Sequence, residues 1–143
     1  MAIVWRAGMS IDGGPIDDDH KFLITQINEL ERTLDEGFSV AAILATLKKL
    51  QYYCVYHFVR EEAIQKEIGF HDRVAHAEKH RQLVTMVDEA VALFERGVFE
   101  EKQERIKDNL LRLLGAWIIG HVLKHDMPMK ESIRIYRRAA AYR

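Results

Sequence analysis

The sequence predicts an all-α protein, an up-down-up-down four-helix bundle with an N-terminal arm and a short C-terminal helical tail. Three observations carry that prediction. The chain has 143 residues and only two prolines, Pro15 near one end and Pro128 near the other, so the stretch between them reads as helix with three short breaks. Apolar residues recur there at steps of three and four, the period of a helix with one buried stripe. Short connections force successive helices to run antiparallel. With 48% hydrophobic residues the chain can fill the core of one domain spanning residues 1–143, and no repeat, low-complexity segment or linker divides it.

Residues 1–16 form the arm. The first helix carries His20, Leu23, Ile27, Leu30 and Leu34 on one face; Gly37 ends it, and Ser39 can cap the next. In the second helix Ile43, Leu47, Leu50, Cys54, His57, Glu61, Ile64 and Ile68 keep the same alternation without a slip, which puts His57 and Glu61 in the core stripe. After "IGFHD" a third helix runs through His76, His80, Leu83, Val87, Ala90 and Phe94 and ends near Gly97. A fourth begins near Glu100 and turns Ile106, Leu110, Leu113, Leu114, Trp117, Ile118 and His121 inward. Pro128 disfavours helical geometry at Met127, which stops or bends the fourth helix there. Residues 129–143 are a short basic tail.

A formal charge of −1 gives no electrostatic footprint for nucleic acid or for an acidic membrane surface. The longest apolar run, "LLGAWIIGHVL", is too short and too interrupted to span a bilayer. The start has neither a basic region nor an apolar core of a secretory signal, so a cytoplasmic location is expected. Cys54 is the single cysteine, which excludes an intrachain disulfide and reads as a small core residue. Lys130, Arg134, Arg137, Arg138 and Arg143 read as a solvated face of the tail, with docking of a protein partner as the lesser alternative.

The topology gathers the unusual residues. The start of helix one, the end of helix two, the start of helix three and the end of helix four lie at one end of such a bundle. His20, His57 and Glu61, His76 and His80, and His121 and Asp126 fall at those four places. Unpaired, each would cost about 1–3 kcal/mol, which argues against a core that merely happens to carry them. Five imidazoles also offer too few acceptors to satisfy one another, so a metal is the economical partner. Imidazole with carboxylate suits zinc, iron or manganese, and seven ligands exceed the needs of one tetrahedral ion, pointing to two ions bridged by carboxylates. His57 with Glu61 and His76 with His80 are four apart, as a shared helix face requires. His121 and Asp126 are five apart, about 140° around a straight helix. His125 is the simpler partner by spacing, whereas a widened turn before Pro128 would bring Asp126 round.

Together "IDDDHKFL", "HFVREEA", "HAEKH" and "WIIGHVLKHD" resemble the hemerythrin family, in particular its single-domain bacterial members, over nearly the whole chain. That resemblance implies Asp126 rather than His125 as the ligand. It implies two iron ions: His76, His80 and His121 on one, His20 and His57 on the other, with Glu61, Asp126 and an oxo or hydroxo group bridging. It implies reversible binding of dioxygen at an open position on the two-histidine iron, for storage, delivery or sensing, rather than enzymatic turnover. Trp117, Ile118, Val122 and Leu123, which flank His121, are expected to wall that position. A diiron enzyme acting on peroxide or nitric oxide, and an iron store or donor, are the alternatives. Where many relatives have glutamine before the first ligand histidine and Tyr-Pro in the second connection, this chain has Asp19 and Phe70-His71. Asp19 either orients His20 or belongs to an acidic helix start, His71 is expected at the surface, and Glu62 is a solvated neighbour or a hydrogen-bond partner of a ligand histidine.

Overall fold

Helix α1 (Pro15–Asp35) starts where proline is tolerated, at a first position whose N–H needs no partner. The computed structural model describes residues 2–142, with the side chains of Ala116, Ile118 and Ile119 excepted. Helix α2 (Val40–Ile68) is capped by Ser39, whose hydroxyl accepts from the Ala42 N–H, and it ends at Gly69 in the left-handed region. Helix α3 (Arg73–Arg96) ends likewise at Gly97, with φ of 68°. Helix α4 (Gln103–Gly115) begins three residues later than its periodicity suggests and continues as a π-helical stretch, Ala116–Asp126. A final helix, α5 (Met129–Ala141), is the C-terminal tail.

The bundle is all-helical among the described residues, with α2 packed between α1 and α3, and α4 against α1. Its main core joins Leu23, Ile27, Leu30 and Leu34 of α1 to Leu47, Leu50, Cys54 and Phe58 of α2. Val87, Val91 and Phe94 of α3 and Leu110, Leu114 and Trp117 complete it. Most of the stripe positions read from the sequence are therefore buried, while Ile64, Ile68, Leu83 and Leu113 are half-buried. No helix among the described residues is long and apolar enough to cross a membrane.

A second apolar cluster caps the end of the bundle where α1 begins and α2 finishes: Ile11 of the arm, Ile16, Phe70 of the α2–α3 connection, and Met129 and Ile133 of α5. The arm is pinned there by buried carboxylates. Asp17 accepts from the Ser10 hydroxyl and the Ile11 and Gly13 N–H groups at 2.5, 2.7 and 2.9 Å, while Asp12 accepts from the N–H groups of Gly14, Ile16 and Asp17. At the arm's beginning, Ile3 exchanges two hydrogen bonds with the Asn28 amide.

One local expectation needs correcting. Met127 keeps helical φ and ψ (−53° and −35°) despite the proline after it. Its N–H reaches back five residues to the Val122 carbonyl, and the ladder stops there because Pro128 has no N–H to continue it, not because Met127 is extended.

Candidate metal centre

All seven residues read from the sequence meet in one buried layer, carried by α1 (His20), α2 (His57, Glu61), α3 (His76, His80) and the π-helical stretch (His121, Asp126). Glu61 is completely buried, at 0% exposure. The π-helix supplies the geometry that a straight helix denies. With hydrogen bonds from i to i+5 the turn is wider, and the five-residue step from His121 to Asp126 closes to 2.9 Å between Nε2 and Oδ1.

The donor atoms fall into two groups that share both carboxylates. On one side lie His20 Nε2, His57 Nε2, Glu61 Oε2 and Asp126 Oδ2: the two ring nitrogens are 3.1 Å apart, His57 to Glu61 is 3.0 Å, and His20 to Asp126 is 3.2 Å. On the other lie Glu61 Oε1, 3.3 Å from His80 Nε2, and Asp126 Oδ1, 2.6 Å from His76 Nε2 and 2.9 Å from His121 Nε2. Each carboxylate thus turns one oxygen to each group. The first group has four residues and the second five, counting the carboxylates in both.

These residues fit metal. A first-row ion with ligands at about 2.0–2.2 Å separates adjacent donors by about 2.8–3.1 Å, close to the spacings found. Several of the atoms lie near one another without making a hydrogen bond. Glu61 Oε2 and Asp126 Oδ2 on the first side, and His80 Nε2 and His121 Nε2 on the second, are buried without a hydrogen-bond partner, as atoms aimed at a shared ion on each side would be. Without a cation, protons hold the layer together. Burial opposes charge on His20, but the adjoining Asp126 and Glu61 carboxylates outweigh it and push its pKa up to about 10. Against their own burial, Glu61 and Asp126 are held well below the usual carboxylate range by the surrounding imidazoles. A cation would displace those protons, since imidazole must be neutral to ligate.

Around this layer the outer ring nitrogens are held by a second set of polar groups. His57 Nδ1 lies 3.1 Å from Asp19 Oδ2, and His80 Nδ1 lies 2.8 Å from Glu62 Oε1. The Gln65 amide is bonded to His76 Nδ1. At His57 and His80 the carboxylate is an acceptor at Nδ1 and fixes the tautomer that leaves the Nε2 lone pair free for metal, whereas at His76 the Gln65 amide nitrogen is a donor. Asp19 therefore serves His57 on the neighbouring helix, not His20 beside it, because adjacent residues on a helix point about 100° apart. Glu62 is the hydrogen-bond partner and not merely a solvated neighbour. Gln65 was not singled out from the sequence, although His57, Glu61 and Gln65 at steps of four were the signal.

A cavity of about 10 Å³ adjoins the two-histidine side, lined by Leu23, Phe58, Trp117 and Val122 together with His20, His57, His121 and Asp126. Trp117 and Val122 stand where the sequence placed them. Leu123 does not: it is 44% exposed, because two residues past the inward-facing His121 a helical side chain points to the far side. The Ile118 side chain lies outside the described residues. Leu23 and Phe58 complete the wall, and the Phe58 ring stacks on His80 with centroids 3.9 Å apart. His125 is half-buried beside the His121 ring and joins neither donor group, and His71 is exposed near Asp72.

The family model "Hemerythrin HHE cation binding domain" matches residues 15–131, the span that carries every one of these donors. The chain belongs to the hemerythrin family. It is 30% identical over 125 residues to a bacteriohemerythrin of Methylococcus capsulatus (strain Bath), covering 87% of this chain and 91% of that protein. To a bacteriohemerythrin of Pseudomonas aeruginosa (strain LESB58) it is 27% identical over 132 residues, 92% of this chain and 82% of the relative. Among solved structures, a wild-type hemerythrin superposes with a TM-score of 0.77 at 26% identity, covering 93% of this chain and 98% of that one. A buried His/Glu/Asp cluster on a hemerythrin fold is a metal site of the non-heme kind.

Proposed function

We propose that this protein is a diiron protein that binds dioxygen reversibly, for storage, delivery or sensing, and does not turn over a substrate. The observation that carries the reading is the asymmetry of the centre. The donor group with one residue fewer, His20, His57 and the shared carboxylates, is the one beside the small apolar cavity. Two iron ions, when bound, would supply the electrons and the open coordination position that dioxygen requires.

The protein's own contribution is enclosure and orientation. Free volume of about 10 Å³ is room for roughly one water-sized molecule, which suits a diatomic gas and leaves no space for a larger organic substrate. Leu23, Phe58, Trp117 and Val122 exclude bulk water, so charge at the site is neither solvated nor readily reached by outside reductants. Asp19 and Glu62 hold His57 and His80 in the ligating tautomer from opposite sides. Nitric oxide is small enough to compete for the same space.

Val122→Ile tests this reading. The extra methylene is comparable to the whole cavity, so the variant should retain its iron and lose oxygen affinity. Oxygen uptake equal to that of the parent protein would separate the cavity from the function and overturn the proposal.

A further inference from the structure

We propose that the outer face of α2 is the contact surface of a two-fold symmetric dimer of this chain, formed by Tyr52, Val55, Tyr56 and Val59 packing antiparallel against the same residues of a second copy. The inner face of α2 is spent on the core and the metal layer, through Leu47, Leu50, Cys54, His57, Phe58 and Glu61. Its opposite face carries another apolar stripe at i, i+3, i+4 and i+7. Tyr52, Val55, Tyr56 and Val59 are 68%, 46%, 45% and 66% exposed. Exposed Ala45, two turns before Tyr52, and exposed Ala63, one turn after Val59, lie along the same face. Scattered surface apolar residues need no explanation, but a contiguous row at helical spacing is what a helix presents to a partner helix.

The side chains themselves indicate that the partner is another copy. In an antiparallel pair with the two-fold axis between positions 55 and 56, each Tyr52 faces a Val59 and each Val55 faces a Tyr56. A large ring then meets a small side chain at every contact. The same register sets Lys49 of each copy opposite Glu62 of the other, so the stripe is closed at both ends by opposite charges. Lys49 is exposed and Glu62 is 40% exposed, leaving both within reach. A parallel pair in register would instead stack tyrosine on tyrosine and lysine on lysine. Antiparallel pairing is thus self-complementary in both size and charge. Four side chains and one charge pair at each end are fewer than the roughly 20–30 residues a side of a standard stable interface, so the dimer is weak.

Sedimentation equilibrium of the metal-loaded full chain, from micromolar to near-millimolar concentration, tests the proposal. The parent protein should pass from monomer to dimer and no further, because a two-fold contact closes on itself. Val59→Glu should remain monomeric throughout. Lys49→Glu, which sets like charges opposite Glu62, should weaken the dimer about fivefold at low salt. Glu62 is left unchanged because it also holds His80. Val74→Glu, at an exposed position on α3, should dimerise as the parent does, and metal content reports that each variant is folded. A parent protein that stays monomeric, or a dimer that survives both Val59→Glu and Lys49→Glu, would overturn the assignment.

Discussion

Replacing Asp19 with alanine should weaken one metal position and spare the other. Asp19 Oδ2 stands 3.1 Å from His57 Nδ1, and its nearest cation, the Arg60 guanidinium, is 3.5 Å away at a partly exposed position from which it can turn to solvent. The loss therefore falls on the imidazole. A carboxylate behind a ligand histidine is worth about 10–100-fold in metal affinity, or about 1.4–2.7 kcal/mol. A hydrogen bond to a charged group, worth about 1.5–3 kcal/mol, gives the same answer independently. His57 Nε2 belongs only to the two-histidine donor group, so the change should appear in one of two binding steps. Competitive titration of the metal-free protein with ferrous iron against a chelator, without air, resolves the two steps. Equal weakening of both, or no weakening of either, would show that Asp19 does not act through His57.

Further predictions concern protons, packing and the arm. In the metal-free protein the raised pKa of His20 gives stability that is complete below its ordinary value of 6.5 and is lost as pH rises through about 10. The depressed Glu61 and Asp126 give stability present above the ordinary carboxylate range and lost as pH falls through their lowered values. Because metal must displace the histidine protons, the rise in Tm on metal loading should grow from pH 6 to pH 9 in paired thermal melts; a constant increment would contradict the shared-proton layer. Phe58→Ala, which removes a buried ring packed on His80 and Trp117, should cost about 3–5 kcal/mol in denaturant unfolding, and a loss below 1 kcal/mol would contradict its place in the core. Asp17→Ala should free the arm, seen as amide exchange at Ile11 and Gly13 rising while α2 stays protected; unchanged exchange would show that other contacts hold the arm. Burial raises the Cys54 thiol pKa, so alkylation in the folded protein should be very slow, and rapid labelling would place Cys54 outside the core.

Much of this molecule was legible in its residues because two signals reinforced each other. The three-and-four stepping of apolar positions fixed the buried face of each helix, and histidine or glutamate interrupting that stepping marked the donor layer. His57 and Glu61 could be placed because they sit in register with Leu50 and Cys54. The layers outside the donors were harder to read. Asp19 pairs across helices, and the packing of α1 on α2 that joins it to His57 has no local pattern. Gln65 continues the His57–Glu61 step but reads as an ordinary polar residue until its burial is known. The expected inward position of Leu123 rested on its nearness to His121 in the chain, whereas side chains two apart on a helix point nearly opposite ways, in a stretch that here winds as a π-helix. That winding was hinted at only by the five-residue step from His121 to Asp126.

The most direct test of the central claim is stoichiometric. Ferrous iron is titrated into metal-free protein without air, and oxygen uptake is then measured while the gas is admitted and purged in repeated cycles. The two donor groups predict two iron ions per chain and one dioxygen taken up per pair, released on purging with the centre restored. One iron per chain, or two irons that oxidise once and release nothing, would contradict the account.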